Sequence, residues 1–223
     1  MVAPVLEAPP ALRRRTNGYG PPPPPPTGGG DGPEGEPPRR PLLDNLLLAT
    51  LFFVGAEIVF FAGLVSAFWV LRLGAAVWPP PLQPRLPVGL TAVNTAVLLA
   101  SRLFLARGLA ALRRGDRRTA VRRLTLTAGL GALFLAAQGV EWARLLHFGL
   151  TMSSGTYGAT FYTLIGAHAL HVLGALIWLA ITTGRLARGR LLGPQPAALR
   201  ACAVYWHFVV ALWPVLYVSV YLL

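Results

Sequence analysis

Two histidines in a run that is otherwise apolar enough to span a membrane are the residues that most need a chemical explanation. His168 and His171 lie in FYTLIGAHALHVLGALIWL, residues 161–179, about one helical turn apart, so they face the same sector of a helix. Imidazole binds metals and exchanges protons near neutral pH. The pair could therefore hold a metal or haem, relay protons, or form hydrogen bonds between helices.

A haem or metal site is disfavoured by the placement of the other possible ligands. His207, in YWHF, lies near the start of a later apolar segment, at a different depth from His168, whereas a bis-histidine haem needs imidazoles facing each other. A structural metal asks for about four ligands, and the chain has a single cysteine, Cys202. We therefore expect His168 and His171 to form hydrogen bonds between helices.

Two carboxyl groups also fall within apolar segments. Glu57 is the one charged residue deep in the first of these, and a carboxylate near the bilayer centre costs about 2.5 to 3.5 kcal/mol, so such a group serves a function or is protonated. Proton relay, contact with a lipid headgroup or ion, and helix–helix hydrogen bonding remain open for it. Glu141 precedes Arg144 by three residues, a spacing that predicts a local ion pair.

The composition indicates an integral membrane protein that is all α-helical. Hydrophobic residues make up 54% of the 223 residues and charged residues 13%, with a mean hydropathy of +0.55. Continuous apolar runs, rather than alternating ten-residue patterns, favour helices over a barrel. The sequence predicts a polytopic bundle of five transmembrane helices at about 46–71, 87–106, 124–146, 158–183 and 203–223.

The distribution of arginine predicts the orientation of these helices. All twenty basic residues are arginine, and sixteen lie in the N-terminal tail, the 107–123 segment and the 184–202 segment, all on one side. The positive-inside rule places that side, and the N-terminus, in the cytoplasm and the C-terminus outside. The net charge of +12 is thereby explained without nucleic acid, and the basic segments lack the interleaved aromatic residues that nucleic-acid binding uses.

The chain divides into a tail and a membrane domain. Residues 1–42 contain six consecutive prolines and a run of glycines, a composition that is typical of a disordered cytoplasmic tether. Residues 43–223 form the predicted bundle. The third span carries small residues at three- and four-residue spacing, which predicts close helix packing and an interior position for that helix. Those residues are Gly129, Ala132, Ala136, Gly139 and Ala143.

Six blocks occur together in the order typical of one family. The chain resembles subunit III of the haem-copper oxidases, in the short five-helix bacterial form. The blocks cover nearly everything after residue 45, although the proline-rich tail has no counterpart in the family pattern. They read EIVFFAGLVSAFW (57–69), LPVGLTAVNTAVLLAS (86–101), QGVEWARL (138–145), SSGTYGATFY (153–162), GAHALHVLGA (166–175) and YWHFVVALWPVLYVSVYLL (205–223).

The resemblance implies an accessory subunit with no haem, copper or other cofactor of its own. Such a subunit packs beside catalytic subunit I and subunit II, which hold the haem and copper, binds phospholipid in the bacterial cell membrane, and sustains proton uptake and stability during turnover. Ligand counts agree, since the chain has four histidines and one cysteine, fewer than the six histidines of a catalytic subunit or the two cysteines of a dinuclear copper subunit.

The resemblance also assigns residues. Glu57 matches the family's buried, carbodiimide-reactive carboxyl group, linked to protons and lipid, and Glu141, His168, His171 and His207 match its polar membrane positions. Where the family often reads YWHFVD, this chain has Val210, which leaves the role of that aspartate in doubt.

Other functions remain compatible with the sequence. A quinol oxidase subunit III and an accessory protein of nitric oxide reductase share the fold and similar motifs. From a different class, a membrane cytochrome or a proton-coupled transporter could use Glu57, His168 and His171 as a relay.

Overall fold

The computed structural model describes residues 45–81, 86–191, 193 and 196–223, so the predicted tail lies outside the described residues. It contains α1 (Asn45–Leu73), α2 (Val88–Arg113), α3 (Arg117–His147), α4 (Thr156–Ala187) and α5 (Ala197–Tyr217), followed by a π-helical turn (Val218–Leu222). Strands are absent from the described part of the chain. Five helices are long and apolar enough to cross a membrane, which confirms the all-α, five-helix prediction.

The helices extend beyond the apolar segments from which they were predicted. α2 and α3 continue through most of the arginine-rich 107–123 segment and are separated by residues 114–116 alone. Arginine is a good helix former, so hydropathy marks where a helix meets the membrane but not where it ends. Asp116 begins α3, accepting a hydrogen bond from the Thr119 backbone N–H at 2.9 Å. That backbone bond holds the pKa of Asp116 below its usual value.

The two ends of the bundle differ in charge. The arginine-rich end carries the α2–α3 turn and the connection from α4 to α5, and there the Arg117 guanidinium donates to the carbonyl of Leu186 at the end of α4. The opposite end carries the last turn of α1, the first turn of α2 and the π-helical turn after α5. Side chains that lie near one end are therefore close together although they are far apart in sequence.

Helix α5, not α3, is the central helix. It packs against α1, α2 and α4, and half of its apolar span is buried within the bundle, against 11% for α1. The predicted small-residue stripe on α3, from Gly129 to Ala143, lies on an exposed face, so the prediction that it packs inside the bundle is wrong. The face of α3 that does pack repeats at alternating four- and three-residue steps through Gly131, Phe134 and Gln138.

The indole of Trp206 packs directly against Gly131, in the space that a side chain at this position would occupy. A Cβ placed on Gly131 would overlap the six-membered ring of Trp206, whose side chain is fully buried. A Cβ at Gly129 or Gly139, on the exposed face of the same helix, would touch nothing within 4 Å. One glycine of α3 is therefore required by packing, whereas these two are not.

Substitution of these glycines gives a test of the packing. We expect Gly131→Ala to destabilise the protein by about 1 to 3 kcal/mol, because the methyl group displaces Trp206. Gly129→Ala should leave stability unchanged or raise it by up to about 1 kcal/mol, since alanine is the better helix former. Thermal unfolding in one detergent compares the two; equal effects would contradict this packing.

Candidate functional site

The buried carboxyl of α1 lies against one of the two histidines of α4. Glu57 Oε2 is 2.8 Å from His171 Nε2, and both side chains are largely buried, 13% and 18% exposed. The contact is close but poorly aligned as a hydrogen bond, because Oε2 has no partner of good geometry among the described residues. The sequence predicted both groups as membrane polar residues, and only the alternative of a proton relay grouped Glu57 with His168 and His171.

The other nitrogen of His171 determines how protons can be arranged in this pair. Nδ1 lies 2.6 Å from the carbonyl oxygen of Ala167, and because a carbonyl only accepts, Nδ1 carries a hydrogen. Nε2 then either accepts a proton from a neutral Glu57 or, when protonated, faces a carboxylate. One proton can therefore reside on either side of the 2.8 Å contact, which is within the distance of a proton transfer although the two groups are poorly aligned.

His168 occupies a different environment from His171. Its ring is fully buried and stacks on Trp213, with ring centroids 5.1 Å apart, and the edges of Phe61 and Phe134 complete the surroundings. Neither ring nitrogen has a hydrogen-bond partner among the described residues. The predicted interhelical hydrogen bond is therefore wrong for His168, which packs as an aromatic ring. Phe61 of α1 lies between the two histidines, with its centroid 5.0 Å from that of His171.

Glu141 forms a second buried polar cluster near the end of the bundle that lies opposite the arginine-rich end. Its Oε1 accepts from the Tyr221 hydroxyl at 2.7 Å, and its Oε2 lies 3.0 Å from the Thr91 hydroxyl. Gln138 donates to the same tyrosine oxygen at 3.2 Å. The predicted ion pair with Arg144 does not form: Glu141 is 2% exposed, whereas Arg144 lies on the exposed face. Helix phase turned the carboxyl inward, toward α2 and the π-helical turn.

A count of hydrogens indicates that this cluster accommodates one proton on Glu141. The Thr91 hydroxyl has one hydrogen but two acceptors within reach, Glu141 Oε2 and the Pro87 carbonyl at 2.9 Å. A hydrogen on Oε2 would donate to the Thr91 oxygen and free the threonine hydrogen for Pro87, so that every contact is satisfied at once. The Pro87 carbonyl also accepts from the Thr91 backbone N–H at 3.1 Å, so the cluster has room for this hydrogen, but the carbonyl does not depend on it.

Several polar residues of α2 were missed by the reasoning from sequence. Thr95 accepts from the Trp213 indole N–H at 2.8 Å, Ser101 accepts from that of Trp206 at 3.1 Å, and Asn94 donates to the Phe134 carbonyl at 3.1 Å. Asn94 and Thr95 follow Thr91 by three and four residues, and Ser101 follows Asn94 by seven, so the sequence carried a signal for a polar face that packs inward. They join α2 to α5 and α3, a structural role.

The remaining candidates lie apart from both clusters. His207 is half-buried on α5 and its Nδ1 has no hydrogen-bond partner among the described residues, and Cys202 is a buried free thiol. Within the same described residues, no three histidine, cysteine, aspartate or glutamate side chains lie close enough to hold a metal ion. What the arrangement can do is hold protons at two separate places, Glu57–His171 and Glu141.

The proton on Glu141 can be tested by substitution. Glu141→Gln should keep stability within about 0.5 kcal/mol, because the amide can donate to Thr91 and accept from Tyr221, whereas Glu141→Ala should cost about 1 to 3 kcal/mol by leaving partners unsatisfied. Thermal unfolding of both variants, with Arg144→Gln as the exposed control, makes the comparison. A glutamine as damaging as alanine would show that the site holds a carboxylate instead.

Comparisons with known proteins agree with this architecture. The family described as Cytochrome c oxidase subunit III matches residues 40–223. A probable cytochrome c oxidase subunit 3 of Nocardia farcinica is 35% identical over 78% of this chain and 86% of its own. The cytochrome c oxidase subunit 3 of Synechocystis sp. is 32% identical over 81% and 76%, and that of Scyliorhinus canicula 34% identical over 81% and 70%. With its five membrane-spanning helices, the chain belongs to the cytochrome c oxidase subunit III family and is a multi-pass membrane subunit of a haem-copper oxidase.

Proposed function

We propose that this chain is the accessory, cofactor-free subunit III of a proton-translocating cytochrome c oxidase in aerobic respiration. In this proposal subunits I and II hold the haem and copper and carry out the redox chemistry. The chain supports proton uptake, lipid binding and stability of the complex, with its N-terminus in the cytoplasm of a bacterial cell. The contact between Glu57 and His171 is the observation that carries the proton-linked role.

The surroundings of Glu57 support a group that exchanges protons rather than a purely structural one. A structural carboxyl would be expected to have both oxygens bonded, as Glu141 does. Among the residues that the structure describes, Glu57 instead has a single close polar neighbour, and it lies on α1, the most exposed helix, where Phe52 and Val59 are 74% and 73% exposed. A lipid or a neighbouring subunit therefore approaches within a few side chains of this carboxyl.

Partner identity is tested by affinity purification of the chain from native membranes. We expect it to bring down an oxidase with haem and copper, together with cyanide-sensitive oxygen consumption driven by reduced cytochrome c. Oxidation of quinol instead would reassign it to a quinol oxidase. Recovery of nitric oxide reductase activity, or of stoichiometric haem on the isolated chain, would overturn the proposal.

The role of Glu57 is tested separately in the purified complex. Glu57→Gln should leave the haem spectra unchanged, abolish labelling of this chain by a hydrophobic carbodiimide, and shorten the time over which turnover is sustained. Glu141→Gln is the matched control, because its carboxyl is buried and bonded at both oxygens. Labelling that persists in Glu57→Gln and disappears in Glu141→Gln would show that Glu141 is the reactive carboxyl and would contradict the role proposed for Glu57. A lost haem signal would contradict an accessory role.

A further inference from the structure

Arg102 is a charged residue of α2 that neither the arginine-rich end nor the two proton-holding clusters explain. It follows Ser101, whose hydroxyl accepts from the Trp206 indole of α5, so it lies where these two helices touch. Counted from Val88 at the start of α2, it lies about 21 Å along the helix, within a bilayer core of about 30 Å. An arginine at such a depth is costly unless a polar or anionic group accompanies it.

His207 lies beside Arg102 on the adjoining helix. Because α2 and α5 run antiparallel, the residues that follow Ser101 and Trp206 turn to the same side of the contact between the helices. The two side chains are close enough for the Arg102 charge to act on the imidazole. Arg102 and His207 therefore form one polar site, built by two helices at one level of the bundle.

The Arg102–His207 site presents hydrogen-bond donors that lack an acceptor. Within the part of the chain that the structure describes, the exposed Arg102 guanidinium makes no hydrogen bond and no ion pair. His207 is half-buried, and its Nδ1 is turned inward with no hydrogen-bond partner among those residues. A buried N–H without an acceptor is costly, so the hydrogen of the neutral ring lies on Nε2, at the outward edge. Donors from two side chains thus face outward together, which suits an anion.

Exposed apolar side chains surround this polar site. On α2, Leu99 and Leu103 lie on either side of Arg102 along the helix, and both are exposed. On α5, Val215 is exposed two turns beyond His207. The surface is therefore apolar along two spanning helices and carries donors at a single level. Such a surface fits another transmembrane helix that brings one acceptor to that level.

The depth of the donors favours an acceptor on a helix over the phosphate of a lipid. Lipid phosphates lie beyond the hydrocarbon core, whereas Arg102 lies about 9 Å inside it when the core is measured from Val88. The long side chain of arginine can extend toward the headgroups, but the short imidazole of His207 cannot follow it. An acceptor carried by a partner helix reaches both donors at once.

We propose that Arg102 and His207 bind the carboxylate of an aspartate or glutamate on a transmembrane helix of a partner oxidase subunit, and thereby fix the position of this chain in the complex. The guanidinium donates two parallel hydrogen bonds to the carboxylate, and His207 Nε2 donates a third. The inference rests on the proposed function, because it takes the partner to be an oxidase subunit, and it names the chemical group which that partner supplies.

The carboxylate has to come from a different protein chain. Glu57 and Glu141, the carboxyl groups within the described membrane helices, lie against His171 and within the Thr91–Tyr221 cluster respectively. A second copy of this chain would have the same two groups engaged in the same way. A partner subunit with its own membrane carboxylate therefore complements the site, and a second copy does not.

The absence of lysine from the sequence allows a direct test in the native complex. Arg102→Lys introduces one side-chain amine at the site. A hydrophobic carbodiimide converts the partner carboxylate to an O-acylisourea; the amine nitrogen attacks its acyl carbon, an amide bond forms, and the urea leaves. Peptide mapping should find this position joined to an aspartate or glutamate in a membrane span of a partner subunit. Arg107→Lys, on an exposed face of the same helix, is the matched control and should give no such product.

Two results of the cross-linking would overturn the proposal. One is the absence of a product from Arg102→Lys, or a product with a second copy of this chain. The other is an equal yield from Arg107→Lys, which would show that the reaction reports only general proximity. Loss of a bound anionic phospholipid from Arg102→Gln, without a cross-link from Arg102→Lys, would assign the site to a lipid headgroup instead.

The rate at which this chain dissociates from the complex in detergent gives a second measure. Arg102→Gln should raise that rate about tenfold, the effect of losing one hydrogen bond between charged groups, while Arg107→Gln should leave it unchanged. His207→Phe keeps an aromatic ring without the donor. Combined with Arg102→Gln, it should raise the rate by less than the product of the two single effects, because both residues hold one carboxylate.

Fully multiplicative effects, or equal effects of Arg102→Gln and Arg107→Gln, would contradict a shared carboxylate. Thermal unfolding of each variant shows whether a faster loss comes from docking or from the fold of this chain. Copurification of the unaltered chain with oxidase activity does not depend on Arg102, so failure here would leave the accessory function standing.

Discussion

Burial of two indole N–H groups on α5 is the constraint on which the rest of the bundle depends. Trp206 and Trp213 are fully buried, and no water of the bilayer core is available to pair with them. Each donates to a hydroxyl of α2, Trp213 to Thr95 and Trp206 to Ser101. The two donors on α5 and the two acceptors on α2 are separated by nearly the same number of residues along their helices, so together they fix the register of α5 on α2. Gly131 then fixes α3, because it leaves the space that the Trp206 ring occupies.

The same tryptophans reach the polar residues of the candidate site. Trp213 stacks on His168, which places α4 against α5 without a hydrogen bond. One turn further along α4, His171 meets Glu57 of α1, the least buried helix. The Glu57–His171 pair therefore lies at the edge of the packed core, supported from behind by aromatic packing and beside the least buried helix. In the proposed function, this pair exchanges protons at that edge.

Some of this could be read from the sequence and some could not. The five helices could be predicted from five apolar runs, because hydropathy indicates directly which segments lie in the bilayer. The partners of the polar residues did not follow, because periodicity gives the face of one helix but not the rotation of its neighbour. Glu141 shows the error clearly: an i, i+3 spacing favoured Arg144, yet the tertiary contacts of Thr91 and Tyr221 prevailed. The small-residue stripe on α3 misled for the same reason, while the glycine that matters, Gly131, stood outside it.

The short turn between α2 and α3 has a consequence for how the arginine-rich end meets its surroundings. Because both helices continue to within three residues of each other, the arginines of this segment other than Arg114 project from helices rather than from a loop. Gly115, with φ of +82°, makes the tight reversal, and Arg117 ties the hairpin to α4. The points at which these side chains join the backbone are thus held at set spacings as a neighbour approaches, and only the side chains themselves rearrange. Whatever packs there must conform to the protein, which favours one fixed geometry of contact over many loose ones.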